Sequence, residues 1–414
     1  MKLLVFAHTP PPHHGQSYMV KLMLDGFGGD VRRKRQDAAS TPLSASSLEC
    51  YHVNSRFSDG MEDIGEVRFE KGFLLLRYCL EAIWCRIRYG VRALYYVPAP
   101  GKRAALYRDW IILFLCRPFF PHVILHWHAV GLGDWVKREG NCLERWITHR
   151  LLSRCTLSVA LAVSSMRDAL WFLSRDIKIV PNGIPDPCPE FDTRLLPVRL
   201  ARAEARRSLL AGEPLAESST GDPAEIRALY IAHCTRDKGV FDALDGVAVF
   251  NRQNTKLRVH LTVAGSFLRE CEEQEFHRRI AQPDLAGAVT YSGFVQGAEK
   301  ARLFKENDCL CFPTYYIAEG QPVNLIEAMA FGMSIITTRW RAIPEILPPG
   351  YPGFTSPKAP QEFAEALERI APLDLAEPLR ARYLAAFSEE KHLENMAKAI
   401  SNTEKQTLKT IRQF

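Results

Sequence analysis

The sequence predicts an α/β protein built from two Rossmann-like, doubly wound domains. Three observations predict it. Short apolar runs alternate with helical patterns through both halves of the chain, the pattern of parallel sheets flanked by helices. Between the halves, from about Asp186 to Ile226, no strand pattern occurs. Pro185, Pro187 and Pro189 open that stretch and Gly212 to Pro223 closes it, which reads as a linker. Finally, 414 residues suffice for two or three domains that each bury a core.

In the first half, Lys2–Ala7, Ala93–Val97, Val123–Trp127, Leu157–Val163 and Lys178–Val180 read as short apolar strands. In the second half, Ala228–Ala232, Arg258–Ala264, Val289–Ser292, Cys309–Phe312 and Ser334–Thr338 do the same. The first strand runs into Thr9-Pro10-Pro11-Pro12-His13-His14-Gly15, and a helix follows with Met19, Val20, Met23, Leu24 and Phe27 on one side. Gly15 lets backbone approach a ligand at that helix start; the plainer reading is an ordinary strand-to-helix turn. No G-x-G-x-x-G is present, which disfavours a dinucleotide oxidoreductase.

Phe73, Leu76, Leu80, Ile83, Trp84 and Ile87 fit one helical face, and Arg77, Glu81 and Arg88 another. With Arg86, Arg92 and the run Arg32-Arg33-Lys34-Arg35 this is a basic amphipathic surface that suits anionic lipid. The alternative is a normal solvated helix of a Rossmann layer. No stacking platform or known module accompanies the charge, so nucleic acid is not expected as a partner.

His126-Trp127-His128 closes a strand, so both imidazoles point to one side at the strand's carboxyl end, where α/β folds bind ligands. A metal pair competes with ligand contact, but no carboxylate or cysteine stands at convincing spacing. Pro181-Asn182-Gly183 is a turn and reads as a hinge.

The run from Ala318 to Gly332 holds two carboxylates, Glu319 and Glu327, with a Gly-Gln-Pro turn between them and an apolar helix after it. Pro322 suits a helix start. The turn aims backbone N–H groups and a positive dipole end at what lies above it, which favours phosphate. The two carboxylates are not neighbours on one face. They read as holding different parts of one extended ligand, not as a paired acid and base.

A hydrophobic content of 47% with 24% charged residues is that of a globular protein. The net charge of +6, with a pI near 8.7, permits an anionic ligand or membrane surface without requiring either. Eleven cysteines lack CxxC or Cys/His zinc spacing and read as reduced, mostly buried thiols of a cytoplasmic protein. Met1 to Ala7 is too short for a secretory signal, and Trp110 to Cys116 falls far below the ~20 residues of a membrane span.

The Glu319 to Glu327 run resembles the E-x7-E signature of retaining glycosyltransferases of family 4, which have the GT-B fold: two Rossmann-like domains facing a central cleft. Leu229 to Gly239 resembles the family's G-R-L-x-x-x-K-G segment. Lys238 matches its Lys, while His233 stands in place of the Arg and Ala232 in place of the Gly; Arg236 lies close enough in sequence to compensate. Ala162-Val163-Ser164-Ser165, Pro181 to Ile184, Val263 to Ser266, Ser292 to Val295 and Ala342 to Glu345 resemble further markers, in the family's order.

The resemblance implies residues 1–186 as an acceptor-side domain and 187–387 as a donor-binding domain, with a C-terminal helix, about 388–414, returning to the first. It implies Glu319 and His128 on the donor sugar, Glu327 on the ribose, and Lys238 with the amides of Val323 and Asn324 on the diphosphate. Gly15, His233 and Gln321 line the donor site, and backbone around Gly293 and Val295 meets the base. Lys238, Glu319 and His128 are the catalytic candidates. No DxD motif is present, so protein charges, without a metal or cofactor, would stabilise the leaving group. The implied activity is retaining transfer from a nucleotide-diphosphate sugar to a glycan or lipid-linked hydroxyl, at the inner face of the cell membrane. A non-catalytic nucleotide-sugar or glycan binder, or an epimerase on the same fold, are the alternatives.

Overall fold

The computed structural model describes residues 1–11, 15–33, 48–56, 69–214 and 221–412. Pro12 to His14 of the first loop, Lys34 and Arg35 of the basic run, and the middle of the Gly212 to Pro223 stretch lie outside the described residues. The chain divides into two units. The first comprises residues 1–183, 318–321 and 388–414; the second comprises 184–317 and 322–387. The stretch 318–321, read from the sequence as part of the second domain, thus clusters with the first unit.

The first unit is a six-stranded, wholly parallel sheet of β1 (Lys2–Phe6), β2 (Glu49–Val53), β3 (Ala93–Tyr96), β4 (His122–Trp127), β5 (Leu157–Ala160) and β6 (Ile177–Ile179). Its order is β2-β1-β3-β4-β5-β6. The winding direction reverses beside β1, so a crevice opens at the carboxyl ends of β1 and β3. Strand alternation splits the core into two layers. Leu3 and Val5 face the helices Gly15–Gly26 and Glu389–Arg412; Leu4 and Phe6 face the helices Phe69–Tyr89 and Arg103–Cys116.

The C-terminal helix buries Leu393, Met396, Ala399 and Ile400 in this core. Gly26 allows its approach, since a Cβ there would lie 2.4 Å from Leu393 Cδ1.

On the opposite layer, the helix Phe69–Tyr89 does not bury the face that its largest side chains mark out. It packs Leu75, Cys79, Ala82 and Cys85 against the sheet and turns Phe73, Leu76, Leu80, Trp84 and Ile87 to solvent. Small residues at a spacing near 3.5 bring the helix close to the strands, which leaves the bulky stripe outside. That is not an ordinary solvated layer helix.

The second unit is also wholly parallel: β7 (Glu225–Ile231), β8 (Arg258–Ala264), β9 (Val289–Gly293), β10 (Cys309–Phe312), β11 (Ser334–Thr338) and β12 (Phe354–Thr355). The order is β12-β11-β10-β7-β8-β9, with its first strand central and the winding reversing between β7 and β10. Leu229, Leu261, Leu310 and Ile335 are fully buried, as expected of strands covered on both faces.

Part of the expected linker is a helix, Leu196–Ala211. Its arginines are structural. Arg199 is buried and donates to the carbonyls of Phe331 (2.8 Å), Asn307 (3.1 Å) and Phe304 (2.9 Å). Burial pulls its guanidinium down to about 10. Arg206 joins Asp308 and the Glu225 carbonyl. Among the described residues no helix is long and apolar enough to cross a membrane, and all eleven cysteines are free.

Candidate functional site

In the second unit the candidate residues collect where the winding reverses, at the carboxyl ends of β7 and β10. Two turns meet there. Gly239 has φ +85°, and a Cβ on it would lie 2.3 Å from the carbonyl oxygen of Pro313. Only glycine satisfies both the backbone angle and the approach. The Tyr315 N–H and the Thr314 hydroxyl both donate to the carbonyl of Asp237, at 2.8 and 3.3 Å. Gly265 repeats the device one strand over, with φ +151° and a Cβ position 1.8 Å from the Ala232 carbonyl oxygen.

The locked turns fix Lys238. Its Nζ lies 4.6 Å from the centroid of the Tyr316 ring and 5.8 Å from that of Phe312. His233 is half-buried on the same turn. Burial, and then the charge of Lys238, push its imidazole below its usual 6.5, so it is neutral at neutral pH. Arg236 does not stand in for the missing arginine charge. Its guanidinium lies 4.5 Å from the Phe241 ring centroid and is held by Glu275 at 2.5 Å.

The helix Val323–Ala330 starts after Pro322, and no side chain caps it. Its first N–H groups have no intrahelical acceptor and sit at the positive end of the dipole. Asn324 pins this start to β7: its Nδ2 donates to the Ile231 carbonyl at 3.0 Å, while its buried Oδ1 has no hydrogen-bond partner among the described residues. One turn on, Glu327 accepts from Lys300 Nζ at 2.6 Å. Lys300 was not anticipated. It lies on the helix Gly297–Glu306, in a stretch where no spacing links it to Glu327. Gly293, with φ +66°, ends β9, and Val295 is buried just after it.

The remaining candidates belong to the first unit. Glu319 is buried. Beside it, Gly320 runs so close to β4 that a Cβ would lie 2.1 Å from the His128 carbonyl oxygen. Gln321 is held by the turn after β6: its Oε1 accepts from the Asn182 N–H at 2.6 Å, its main-chain carbonyl accepts from Asn182 Nδ2 at 3.2 Å, and its Nε2 donates to Leu161 at 3.5 Å. The Gln321 side chain is therefore spent on anchoring. Asn182, read as a hinge, is its main partner, and only the fold reveals that pairing. Gly15 opens the helix after β1.

His128 half-faces solvent, and its ring centroid lies 4.0 Å from that of His126. His126 is buried, meets the Tyr95 hydroxyl at 2.5 Å through Nδ1, and is held well below the usual imidazole range by burial and by its neighbours His128 and His392. Among the described residues no group of three or more His, Cys, Asp or Glu is placed to hold a metal ion.

The second unit thus offers the Lys238 ammonium, an uncapped helix start and a neutral imidazole around the ends of β7 and β10. That set suits a phosphate-bearing anion.

Residues 216–383 match the family described as glycosyl transferases, group 1. The chain is similar to the amylovoran biosynthesis glycosyltransferase AmsK of Erwinia amylovora, at 28% identity over 35% of each chain. It is also similar to the putative colanic acid biosynthesis glycosyltransferase WcaL of Escherichia coli K12, at 27% identity over 40% of this chain and 36% of WcaL. The chain thus spans little more than a third of the length of these relatives. Among solved structures, sucrose-phosphate synthase from Thermosynechococcus elongatus superposes with a TM-score of 0.65, at 16% identity, over 99% of this chain and all of that one. Anabaena Alr3699/HepE in complex with UDP gives 0.64, at 15% identity, over 97% of this chain and all of that one. The architecture common to these chains is GT-B, a pair of Rossmann-like α/β units.

Proposed function

We propose that this chain, which carries a group 1 glycosyltransferase domain over residues 216–383, is a retaining glycosyltransferase of polysaccharide assembly. It takes a sugar from a nucleotide-diphosphate donor and passes it to a hydroxyl of a glycan or lipid-linked acceptor at the cytoplasmic face of the membrane. The observation that carries the reading is that Lys238 and the uncapped start of the helix Val323–Ala330 are both placed at the ends of β7 and β10. As the sugar–phosphate bond breaks, its electron pair leaves with the diphosphate. A fixed ammonium and backbone N–H groups stabilise that charge without reorganising. Glu319 takes sugar hydroxyls and Glu327 the ribose, with Lys300 holding the Glu327 carboxylate in place. The acceptor oxygen attacks from the face the leaving group vacates and gives its hydroxyl proton to the departing diphosphate oxygen on that face, which keeps the anomeric configuration.

UDP sugars are the first donors to try, since Anabaena HepE was captured with UDP and with UDP-glucose. UDP should raise the melting temperature of the wild type increasingly as its concentration exceeds Kd and leave Lys238→Ala unmoved. If no nucleoside diphosphate stabilises the wild type, the reading fails. NMR of the product must show retention. The neutral His233 favours one other reading, a donor binder without transfer activity. A protein that binds UDP-sugar yet releases no free sugar and glycosylates no acceptor would be that binder.

A further inference from the structure

The outer layer of the first unit carries an apolar face that no described residue covers. On the helix Phe69–Tyr89, Phe73 is 77% exposed and Ile87 72%, with Leu80 and Trp84 between them. The helix Arg103–Cys116 packs beside it on the same side of the sheet and adds Phe114, 68% exposed. The helix Cys142–Leu152 follows, joined to it through Trp110 Nε1 and the Thr148 hydroxyl at 2.9 Å, and adds Leu143 and Trp146, the latter 65% exposed. Side chains of this size on three adjacent helices form a surface that isolated exposed leucines do not.

The exposed charge described on these three helices has one sign. Arg77, Arg88, Arg103, Arg145 and Arg150 are exposed on the same three helices. The acidic side chains described there are withdrawn: Glu81 pairs with Arg32, while Asp109 and Glu144 are buried. Asp109 accepts from the Tyr96 hydroxyl and the Ala99 N–H, and Glu144 from the Tyr107 hydroxyl. A second copy of the chain is a poor occupant, because a two-fold contact through this face would set its arginines against each other. An apolar, aromatic centre inside a cationic rim instead matches the acyl boundary and headgroups of an anionic bilayer.

We infer that this three-helix face seats the protein on a membrane surface rich in anionic phospholipid, with Phe73, Trp84, Ile87, Phe114 and Trp146 entering the interface. It rests on the proposed function only for the membrane location. Vesicle binding is measured without donor or acceptor, so failure here and failure of sugar transfer are separate results.

The full chain should be sedimented with vesicles of phosphatidylcholine alone and of phosphatidylcholine with phosphatidylglycerol. Two variants accompany it: Phe73→Ser/Ile87→Ser/Phe114→Ser and Arg77→Glu/Arg88→Glu/Arg145→Glu. All these positions are exposed, so unchanged melting curves and UDP binding confirm that the variants fold. The wild type should partition at least about ten-fold more onto the anionic vesicles, with added salt releasing it. Each variant should lose about ten-fold or more of that partitioning. Equal binding to both vesicle types, no binding, or undiminished binding by either folded variant overturns the proposal. So does a wild-type dimer that ignores vesicles and dissociates in the serine variant, which would make the face a contact between copies.

Discussion

The Oε1 atom of Gln321 accepts the backbone N–H of Asn182 at 2.6 Å, and the Asn182 side chain returns a hydrogen bond to the Gln321 carbonyl at 3.2 Å. Both residues are buried. This double bond of contacts ties the segment that carries Glu319 to the turn after β6. Gln321→Ala should leave the Asn182 N–H buried and unpaired, at a cost of about 1–3 kcal/mol. It should lower kcat with little change in UDP affinity, because Glu319 is mispositioned while Lys238 is untouched. Denaturant melts and steady-state kinetics read the two effects; a Gln321→Ala enzyme with wild-type kcat would remove the anchoring role.

Lys238→Ala should lower transfer by about 10²–10³-fold, the usual scale for deleting one preorganised donor to a developing charge. Lys238→Arg should recover part of it. Glu319→Gln should lose transfer while the protein keeps its affinity for UDP, since the carboxylate is assigned to the sugar. UDP titration by calorimetry alongside product formation distinguishes these outcomes.

His233→Arg tests the departure from the family pattern. The wild-type imidazole is neutral at neutral pH, with its pKa pushed below 6.5 by burial and by Lys238. UDP affinity of the wild type should therefore rise as pH falls through that depressed value. In the arginine variant affinity should be higher at neutral pH, by about ten-fold, and flat over the same range. Parallel pH profiles in the two proteins would show that this side chain does not meet the ligand.

His392, on the C-terminal helix, is buried, donates through Nδ1 to the Pro181 carbonyl at 2.6 Å and is held down to about 4 by burial. Unfolded, it titrates near 6.5. Between those values the unfolded chain binds a proton that the folded chain does not, so its contribution is full above pH 6.5 and is lost as pH falls toward 4. The loss amounts to about 3 kcal/mol. His392→Gln should show a shallower fall in melting temperature from about pH 7 to about pH 5 than the wild type. Identical slopes would sink this assignment.

Most of the fold is legible in the sequence because its strands are covered on both faces and read as plain apolar runs, as Leu3 to Phe6 and Cys309 to Phe312 do. β2 escapes that reading. Its residues are Glu49, Cys50, Tyr51, His52 and Val53, and the buried His52 is satisfied through Nε2 by the Ala7 carbonyl at 2.8 Å. β12 has two residues and no pattern to detect. The helix Leu196–Ala211 sits between the prolines and the Gly212 to Pro223 run that read as a linker, and the carbonyls that hold its Arg199 lie about a hundred residues onward. In the candidate site, the glycines and the Glu319–Glu327 run are visible as motifs. Lys300 and Asn182 are not, because each acquires its meaning from a partner that only the fold delivers.

The helix Glu389–Arg412 closes the core built around strand one: Leu393, Met396 and Ile400 pack in the layer of Leu3 and Val5. On the ribosome, the unit made first is therefore the one finished last. Its sheet waits with an open apolar face while the whole second unit, complete at residue 387, is made and folds. A truncation that removes Leu393 to Ile400 would reach back to strand one, and what failed in such a product would be the unit built around that strand.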